Sequence, residues 1–167
     1  MYAMRRWSVR HAYAFEWLYD AFAATLLTLD PLWRWIGYER LEKPVVRVEK
    51  AIKGFLFECQ MCGQCLLSQT GMSCPMNCPK LLRNGPCGGV RPDGGCEVDP
   101  AMHCVWVEGY EGSLRMRNGH AFGTVNPHID ESLKNTSSWL RVTREAAEAR
   151  RRPPEGDATR DLVHGRR

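Results

Sequence analysis

Eight cysteines lie close together in the middle of the sequence, and there are none outside this block. Successive cysteines are separated by two, two, eight, three, eight, eight and seven residues. The members of the block are Cys59, Cys62, Cys65, Cys74, Cys78, Cys87, Cys96 and Cys104. Reduced thiols crowded at such short spacings are typical of metal sites. We therefore expect all eight to act as metal ligands.

Two kinds of metal site use eight thiolates as two sets of four. One is a pair of [4Fe–4S] clusters, and the other is a pair of structural zinc ions. The opening run Cys59-x2-Cys62-x2-Cys65 favours iron–sulfur. Zinc sites usually take their ligands as separate pairs, whereas a cubane cluster offers several iron corners to a single loop. The spacing thus predicts two [4Fe–4S] clusters, with two zinc ions as the alternative and disulfides as the least favoured arrangement.

The division of the eight cysteines between the two sites stays open at this point. In bacterial ferredoxins the fourth ligand of such a run is supplied from elsewhere in the sequence. By analogy, Cys78, which precedes a proline, and Cys104 are the two candidates to complete the triplet. The remaining four cysteines would hold the second cluster. His103, beside Cys104, is expected to be a non-ligand because eight thiols suffice for two sites.

The sequence carries no sign of a catalytic site of its own. It has no G-x-G-x-x-G run and no P-loop, which argues against a dinucleotide or nucleotide site. No Ser/His/Asp or Cys/His arrangement stands out, and His120 and His128 belong to no recognisable constellation. Two clusters without a substrate site describe an electron relay that serves an active site on another chain.

A nucleic-acid-binding zinc module is the weakest alternative. Between the first and last cysteine the basic residues are Lys80, Arg83 and Arg91. Three cations are too few to follow a phosphate backbone. The net charge of +4 does not change this, because much of the excess lies in arginines near the two ends.

The cysteine block divides the chain into three zones. Residues 1–57 are rich in aromatic side chains and predict helices that serve as a docking region. Residues 58–112 form the eight-cysteine cluster-binding domain, whose many glycines and prolines predict a succession of turns. Residues 113–167 predict a loop, a short helix and an arginine-rich tail with little fixed structure. The expected fold class is a small cysteine-rich, mostly irregular metal-cluster domain preceded by α-helices, with little β-structure.

Helix boundaries in the first zone follow from periodicity and prolines. Apolar residues recur at three- and four-residue steps from Phe15 to Leu29 and predict one buried helical stripe. Asp30-Pro31 ends that helix, and a second helix extends to Gly37. Pro44 fits the first turn of a third helix that leads to the first cysteine.

The sequence also gives expectations for the packing of four tryptophans in this zone and for one helix in the third zone. For Trp7, Trp17, Trp33 and Trp35 we weigh core packing, which is favoured, against a docking face for a partner chain. In the third zone the short helix is expected around Trp139 and Leu140, and little fixed structure is expected from Arg144 onward.

The N-terminus does not predict export or membrane insertion. Its longest apolar run, residues 21–29, is far shorter than the ~20 residues of a transmembrane helix. Glu16 and Asp20 interrupt the stretch and are atypical of a signal peptide. We therefore expect a cytoplasmic protein without a transmembrane segment, in which the thiols stay reduced.

The cysteine block also carries a specific family resemblance. Between Cys59 and Trp106 the sequence contains CxMCGQC, TGxxCPxxCPK, LRNGPCGG and a C-x7-C pair that ends in C-V-W. This combination resembles the methylenetetrahydrofolate reductase C-terminal-like family, the small cysteine-rich partner subunit of acetogen-type methylenetetrahydrofolate reductases.

The resemblance implies a function in one-carbon metabolism. It implies a subunit that carries [4Fe–4S] clusters on the eight cysteines and binds a flavin-containing methylenetetrahydrofolate reductase with a TIM-barrel fold. The subunit would pass electrons to or from that reductase's flavin. No flavin- or folate-binding residue is implied on this chain, and a further electron-donor protein is left open as a second partner. A zinc-binding subunit that stabilises the same flavoprotein is the alternative function.

Overall fold

The computed structural model describes residues 2–152 of the chain and consists of helices and irregular segments. Three short 3₁₀ helices and one antiparallel bridge, between Gly95 and His103, complete the regular structure of this part of the chain. The α-helices are α1 Tyr2–Arg10, α2 Ala12–Thr28, α3 Asp30–Ile36, α4 Tyr38–Phe57, α5 Val105–Ser113 and α6 Ser138–Arg151. The 3₁₀ helices are Pro75–Asn77, Gly119–Gly123 and Glu131–Leu133. The expectation of helices plus loops with little β-structure is confirmed for the described residues.

Some boundaries of the first helices lie where the sequence predicts them, and the start of α4 does not. α2 ends at Thr28, before Asp30-Pro31, and the proline occupies the first turn of α3. α3 ends at Gly37, whose φ of 93° lies in a region that favours glycine. The predicted start at Pro44 is wrong, because α4 begins at Tyr38 and contains Pro44 in its interior. Pro44 is on the exposed side of α4, where water can donate a hydrogen bond to the Arg40 carbonyl that the missing N–H leaves without its helical donor.

The C-terminal helix is longer than predicted. Helix α6 runs to Arg151, although little fixed structure is expected from the sequence after Thr143. Its first turn is capped by Ser137, whose side chain accepts a hydrogen bond from the N–H of Leu140. Its last turn pairs Arg151 with the buried carboxylate of Asp30 on α3. These contacts at both ends explain the extra helix, and the rest of the predicted tail, residues 153–167, lies outside the described residues.

A helix also occurs where only turns were expected. α5 begins directly after Cys104, within the zone assigned to the cysteines. It packs closely on the loop before Cys74: a Cβ added at Gly112 would lie 2.0 Å from the carbonyl oxygen of Gly71, and one at Gly71 would lie 2.0 Å from that of Gly109. Only glycine allows this approach, so these glycines fix α5 against the cysteine loops.

The hydrophobic core lies between the helices and the cysteine loops. Its buried members are Ala12, Phe57, Leu67, Met72, Cys74 and Met116. Helices α1, α2 and α4 meet the loops here, so the cysteine-rich region is part of the packed structure and not an appendage. Within residues 2–152, none of the helices has both the length and the apolar character needed to cross a membrane.

Candidate metal-binding sites

The eight cysteines line two separate cavities, four in each. Each cavity is small, with a volume of about 20 Å³, and is partly open to solvent. The first is lined by Cys59, Cys62, Cys65 and Cys74. The second is lined by Cys78, Cys87, Cys96 and Cys104. The chain therefore supplies its first four thiols to one cavity and its last four to the other.

This grouping differs from the expected one. Cys78 and Cys104 were the candidates to complete the triplet, but both line the second cavity, and Cys74 joins the triplet instead. The cause is the 3₁₀ turn Pro75–Asn77, which has Cys74 at one end and Cys78 at the other. The Asn77 side chain fixes this turn by donating a 2.8 Å hydrogen bond to the carbonyl of Phe57 at the end of α4.

The loop that carries the triplet is shaped by left-handed residues and by a distant segment. Met61 and Gly63 have φ of 49° and 73°. A Cβ on Gly63 would lie 2.2 Å from the carbonyl oxygen of Leu133, so the loop touches that backbone directly. The N–H of Asn135 donates to the carbonyl of Met61 at 2.8 Å, and Arg141 donates to that of Gly63 at 3.1 Å. The triplet is thus positioned by the chain around residues 133–141.

The second cavity is built on a small backbone ladder. The N–H of Cys96 donates to the carbonyl of Met102 at 2.9 Å, and the N–H of Cys104 donates to that of Gly94 at 2.9 Å. Cys104 is also the N-cap residue of α5. An exposed ion pair of Lys80 and Glu97 lies at the edge of the cavity. The last two thiols are therefore held by backbone hydrogen bonds.

Burial makes two thiols of the first group, Cys59 and Cys74, hard to ionise. It raises the pKa of Cys59 to about 11, and neighbouring thiolates, Cys65 foremost, add to the effect. Burial likewise raises the pKa of Cys74 far above its usual value. Four thiolates at this place need a compensating positive charge, which bound metal supplies, since metal ligation requires the deprotonated sulfur.

A buried ion pair at the first cavity was not found by sequence reasoning. Glu49 and Lys53, only 1% and 4% exposed, both line it. The Lys53 ammonium donates to Glu49 at 2.6 Å and to the hydroxyl of Ser138 at 2.7 Å. Ser137 and Ser138 donate to the same carboxylate at 2.6 and 2.5 Å. The only signal in the sequence is the four-residue spacing of Glu and Lys, which is common on exposed helices.

The charges of this pair are reinforced by their surroundings. Burial lowers the pKa of Lys53, but the negative charges of Cys65 and Glu49 outweigh it and the pKa lies above its usual value. Burial raises the pKa of Glu49, yet Lys53 and the two serine hydroxyls hold it below its usual range. Both groups are therefore charged at neutral pH.

Arg5 of α1 connects the two ends of the cysteine region, a role that no sequence signal indicated. Its guanidinium, 2% exposed, contacts Glu58 at 3.1 Å, directly before the first cysteine. It also contacts the buried Glu108 of α5 at 3.3 Å, four residues after the last cysteine. The hydroxyl of Tyr2 donates to Glu108 at 3.1 Å. Burial raises the pKa of Glu108, and Arg5 offsets only part of this rise.

The three histidines considered in the sequence analysis, His103, His120 and His128, do not line either cavity. His103 packs against Gly94, where an added Cβ would lie 2.6 Å from its Nε2 atom, and its Nδ1 atom is buried without a partner among the described residues. His120 belongs to the 3₁₀ helix Gly119–Gly123. Within residues 2–152, no three Cys, His, Asp or Glu side chains converge to hold a single metal ion.

The donor set of each cavity fits an iron–sulfur cluster. Four thiols surround each space, which is the number that a [4Fe–4S] cluster takes, and the walls are otherwise mostly apolar. A zinc ion accepts four thiolates as well. Donor type and number thus agree with both sequence-based alternatives, although among the described residues no three of these thiols converge on a single point.

A large apolar groove opens beside the first cavity. It lies between α2 and α4, has a volume of about 250 Å³ and contains Cys65 in its wall. Its other apolar lining residues include Phe15, Leu18, Phe22, Ile52, Leu56 and Trp139. Leu18 is 56% exposed. The predicted stripe on α2 is therefore only partly buried and forms one wall of an open groove.

Of the four tryptophans of the first zone, some pack against other side chains, as expected of core residues, and others are exposed, as expected of a docking face. Trp35 and Trp17 are 83% and 60% exposed. Trp33 is half-buried and donates from its ring to the carbonyl of Leu26 at 3.0 Å. Trp7 stacks edge-on against Phe15. Core packing thus accounts for some of these rings and leaves others at the surface.

Comparison with known proteins supports the family resemblance. A family model described as "Methylene-tetrahydrofolate reductase C terminal" matches residues 38–132, more than half of the chain. The match begins at the first residue of α4 and includes both cavities and α5. Searches among curated proteins and among solved structures found no match.

Proposed function

This chain belongs to the methylene-tetrahydrofolate reductase C-terminal family, and on that premise we propose that it is an iron–sulfur electron-transfer subunit. It passes electrons to or from the flavin of a partner methylenetetrahydrofolate reductase. The chain itself supplies the cluster ligands and the docking surface, and the partner supplies the substrate chemistry.

The observation that carries the proposal is the division of eight thiols into two sets of four. Cys59, Cys62, Cys65 and Cys74 would hold the first cluster, and Cys78, Cys87, Cys96 and Cys104 the second. A [4Fe–4S] cluster supplies one-electron transfer when it is bound. The protein contributes thiolates, a mostly apolar wall and backbone geometry that fixes each set.

The groove beside the first cavity is the proposed docking place for the reductase. Cys65 lies in its wall, so a partner seated there reaches one ligand of the first cluster. Trp7 of α1, which is 46% exposed, packs edge-on against Phe15 in the groove wall and extends this apolar surface. Large aromatic residues are enriched at interface hot spots. Electrons would therefore leave or enter through the first site.

Metal analysis of protein purified without oxygen tests the proposal. We expect about eight irons and eight acid-labile sulfides per chain. The variants C62S and C87S each remove one thiol from a different set, so each should retain about four irons. C74S should resemble C62S, because both cysteines line the first cavity. A stoichiometric zinc content without sulfide would refute electron transfer and support the zinc-bearing structural subunit, which the same donor set also fits.

A further inference from the structure

We propose that Lys53 is a positioning residue that raises the reduction potential of the first cluster above that of the second through its buried positive charge. This inference rests on the proposed function, since it requires a cluster at the first cavity. The inference predicts the direction of electron transfer within the chain: an electron on the second cluster passes to the first cluster, which lies beside the docking groove.

The position of Lys53 gives its charge a strong effect on the first cavity. The side chain lines that cavity together with the cysteines and also forms part of the groove wall. It is 4% exposed, so solvent and salt screen its charge far less than that of a surface lysine. A positive charge beside a cluster stabilises the reduced state, which carries one more negative charge.

The carboxylate partner does not cancel this effect. Glu49 accepts hydrogen bonds from the Ser137 and Ser138 hydroxyls at 2.6 and 2.5 Å and from the N–H of Trp139 at 3.4 Å, in addition to the Lys53 ammonium. These neutral donors compensate part of the carboxylate's negative charge, so the ammonium of Lys53 is not fully cancelled by its partner at the cavity that both side chains line.

The two cavities differ in the burial of the cationic side chains that line them. Arg83 also lines the first cavity, but it is only half-buried and donates to the carbonyl of Pro127. At the second cavity the lining cation is Lys80, which is 42% exposed and already paired with Glu97. The described lining of the second cavity thus contains no buried cation, so the electrostatic bias falls on the first site.

Potentiometric titration of the cluster-loaded protein, followed by EPR, tests the assignment. Replacing Lys53→Gln should lower the reduction equilibrium constant of one of the two clusters about tenfold, a shift of about 59 mV for a one-electron couple. The other cluster serves as an internal reference and should not move. K50Q removes the same charge from an exposed position on the same helix and should leave both potentials unchanged.

Two further variants separate electrostatics from damage to the fold. E49Q removes the negative charge and should shift the same cluster in the opposite direction, which a merely loosened site would not do. The double variant K53Q/E49Q leaves no unpaired buried charge, so it stays folded if K53Q does not. Its potential should lie below that of the wild type and above that of K53Q, because the serine hydroxyls and the Trp139 N–H already compensate part of the Glu49 charge that the second substitution removes.

The outcomes distinguish this inference from the proposed function. Protein that carries two clusters but shows no shift in K53Q or in the double variant overturns the role of Lys53 and leaves electron transfer intact. Equal shifts in both clusters overturn it as well, because the effect would not be local. Protein without iron and sulfide refutes the proposed function itself. A selective shift, with the opposite sign in E49Q, supports the inference.

Discussion

Replacing Arg5 by methionine tests whether α1 ties the two ends of the cysteine region together. The substitution keeps an apolar stem of similar length and removes the guanidinium that contacts Glu58 and Glu108. The contact with Glu108 is the important one, because both side chains are almost fully buried. We expect R5M to destabilise the protein and to speed the loss of bound metal from both cavities.

The burial of Arg5 and Glu108 determines how much free energy of unfolding R5M should lose. Removing one partner of a buried ion pair costs about 3–5 kcal/mol, because a buried charge is left uncompensated. The lost contact with Glu58, 26% exposed, adds less than about 1 kcal/mol. Glu108 keeps the Tyr2 hydroxyl at 3.1 Å and the more distant Arg6 at 3.7 Å. These remaining donors place the expected loss at the lower end, about 3 kcal/mol.

Thermal unfolding of metal-loaded protein under anaerobic conditions measures this loss. For a chain of this size, about 3 kcal/mol corresponds to a decrease in Tm of about 6–12 °C. R10M is the matched control, since Arg10 is an exposed arginine at the end of the same helix and should change stability by less than about 0.5 kcal/mol. The double variant R5M/E108Q leaves no buried charge and should recover part of the stability.

Two results would refute this reasoning. If R5M unfolds at the same temperature as R10M, the buried pair contributes nothing measurable. If R5M/E108Q is less stable than R5M alone, the cost does not come from an uncompensated charge on Glu108. In either case α1 would be held by its other contacts.

Three other changes have defined outcomes. G112A should cost about 1–3 kcal/mol in urea unfolding, because its Cβ would lie 2.0 Å from a facing carbonyl; G54A, with open space on α4, should instead gain about 0.5–1 kcal/mol. Burial raises the pKa of Glu108 in the folded protein above its usual value of 4.5. The contribution of Glu108 to the free energy of unfolding is therefore full below about pH 4.5 and decreases as the pH rises through the folded-state pKa. The variant E108Q should lack this decrease. L18D should abolish co-purification with the reductase without changing the metal content, whereas L114D, on an exposed residue after α5, should not.

The cysteine spacing predicts two four-thiol sites, but it does not predict which cysteines line the same cavity. Spacing reports which thiols lie near each other along the chain, and this suffices to indicate two four-thiol sites. The assignment of Cys74 to the triplet depends on one 3₁₀ turn and on the hydrogen bond from Asn77 to Phe57. Such loop geometry depends on contacts between segments, which spacing does not specify.

The packing of α2 shows a similar limit. Periodicity predicts a buried apolar stripe, yet the most deeply buried residues of α2 are Ala12 and Glu16. The carboxylate of Glu16 accepts hydrogen bonds from the N–H groups of Arg117 and Asn118 at 2.7 and 2.9 Å. A buried acid of this kind is invisible in sequence, because its donors are backbone groups about a hundred residues away.

The link between Arg5 and Glu108 has a consequence for the order of events during synthesis. The buried partner of Arg5 is made 103 residues after Arg5 itself. The last thiol, Cys104, precedes that partner by only four residues. The ion pair that holds α1 on α5 therefore cannot form until all eight thiols have been made. Metal delivered during translation would meet the thiols before this ion pair forms, whereas metal delivered afterwards would meet thiols in a region that the pair already holds together.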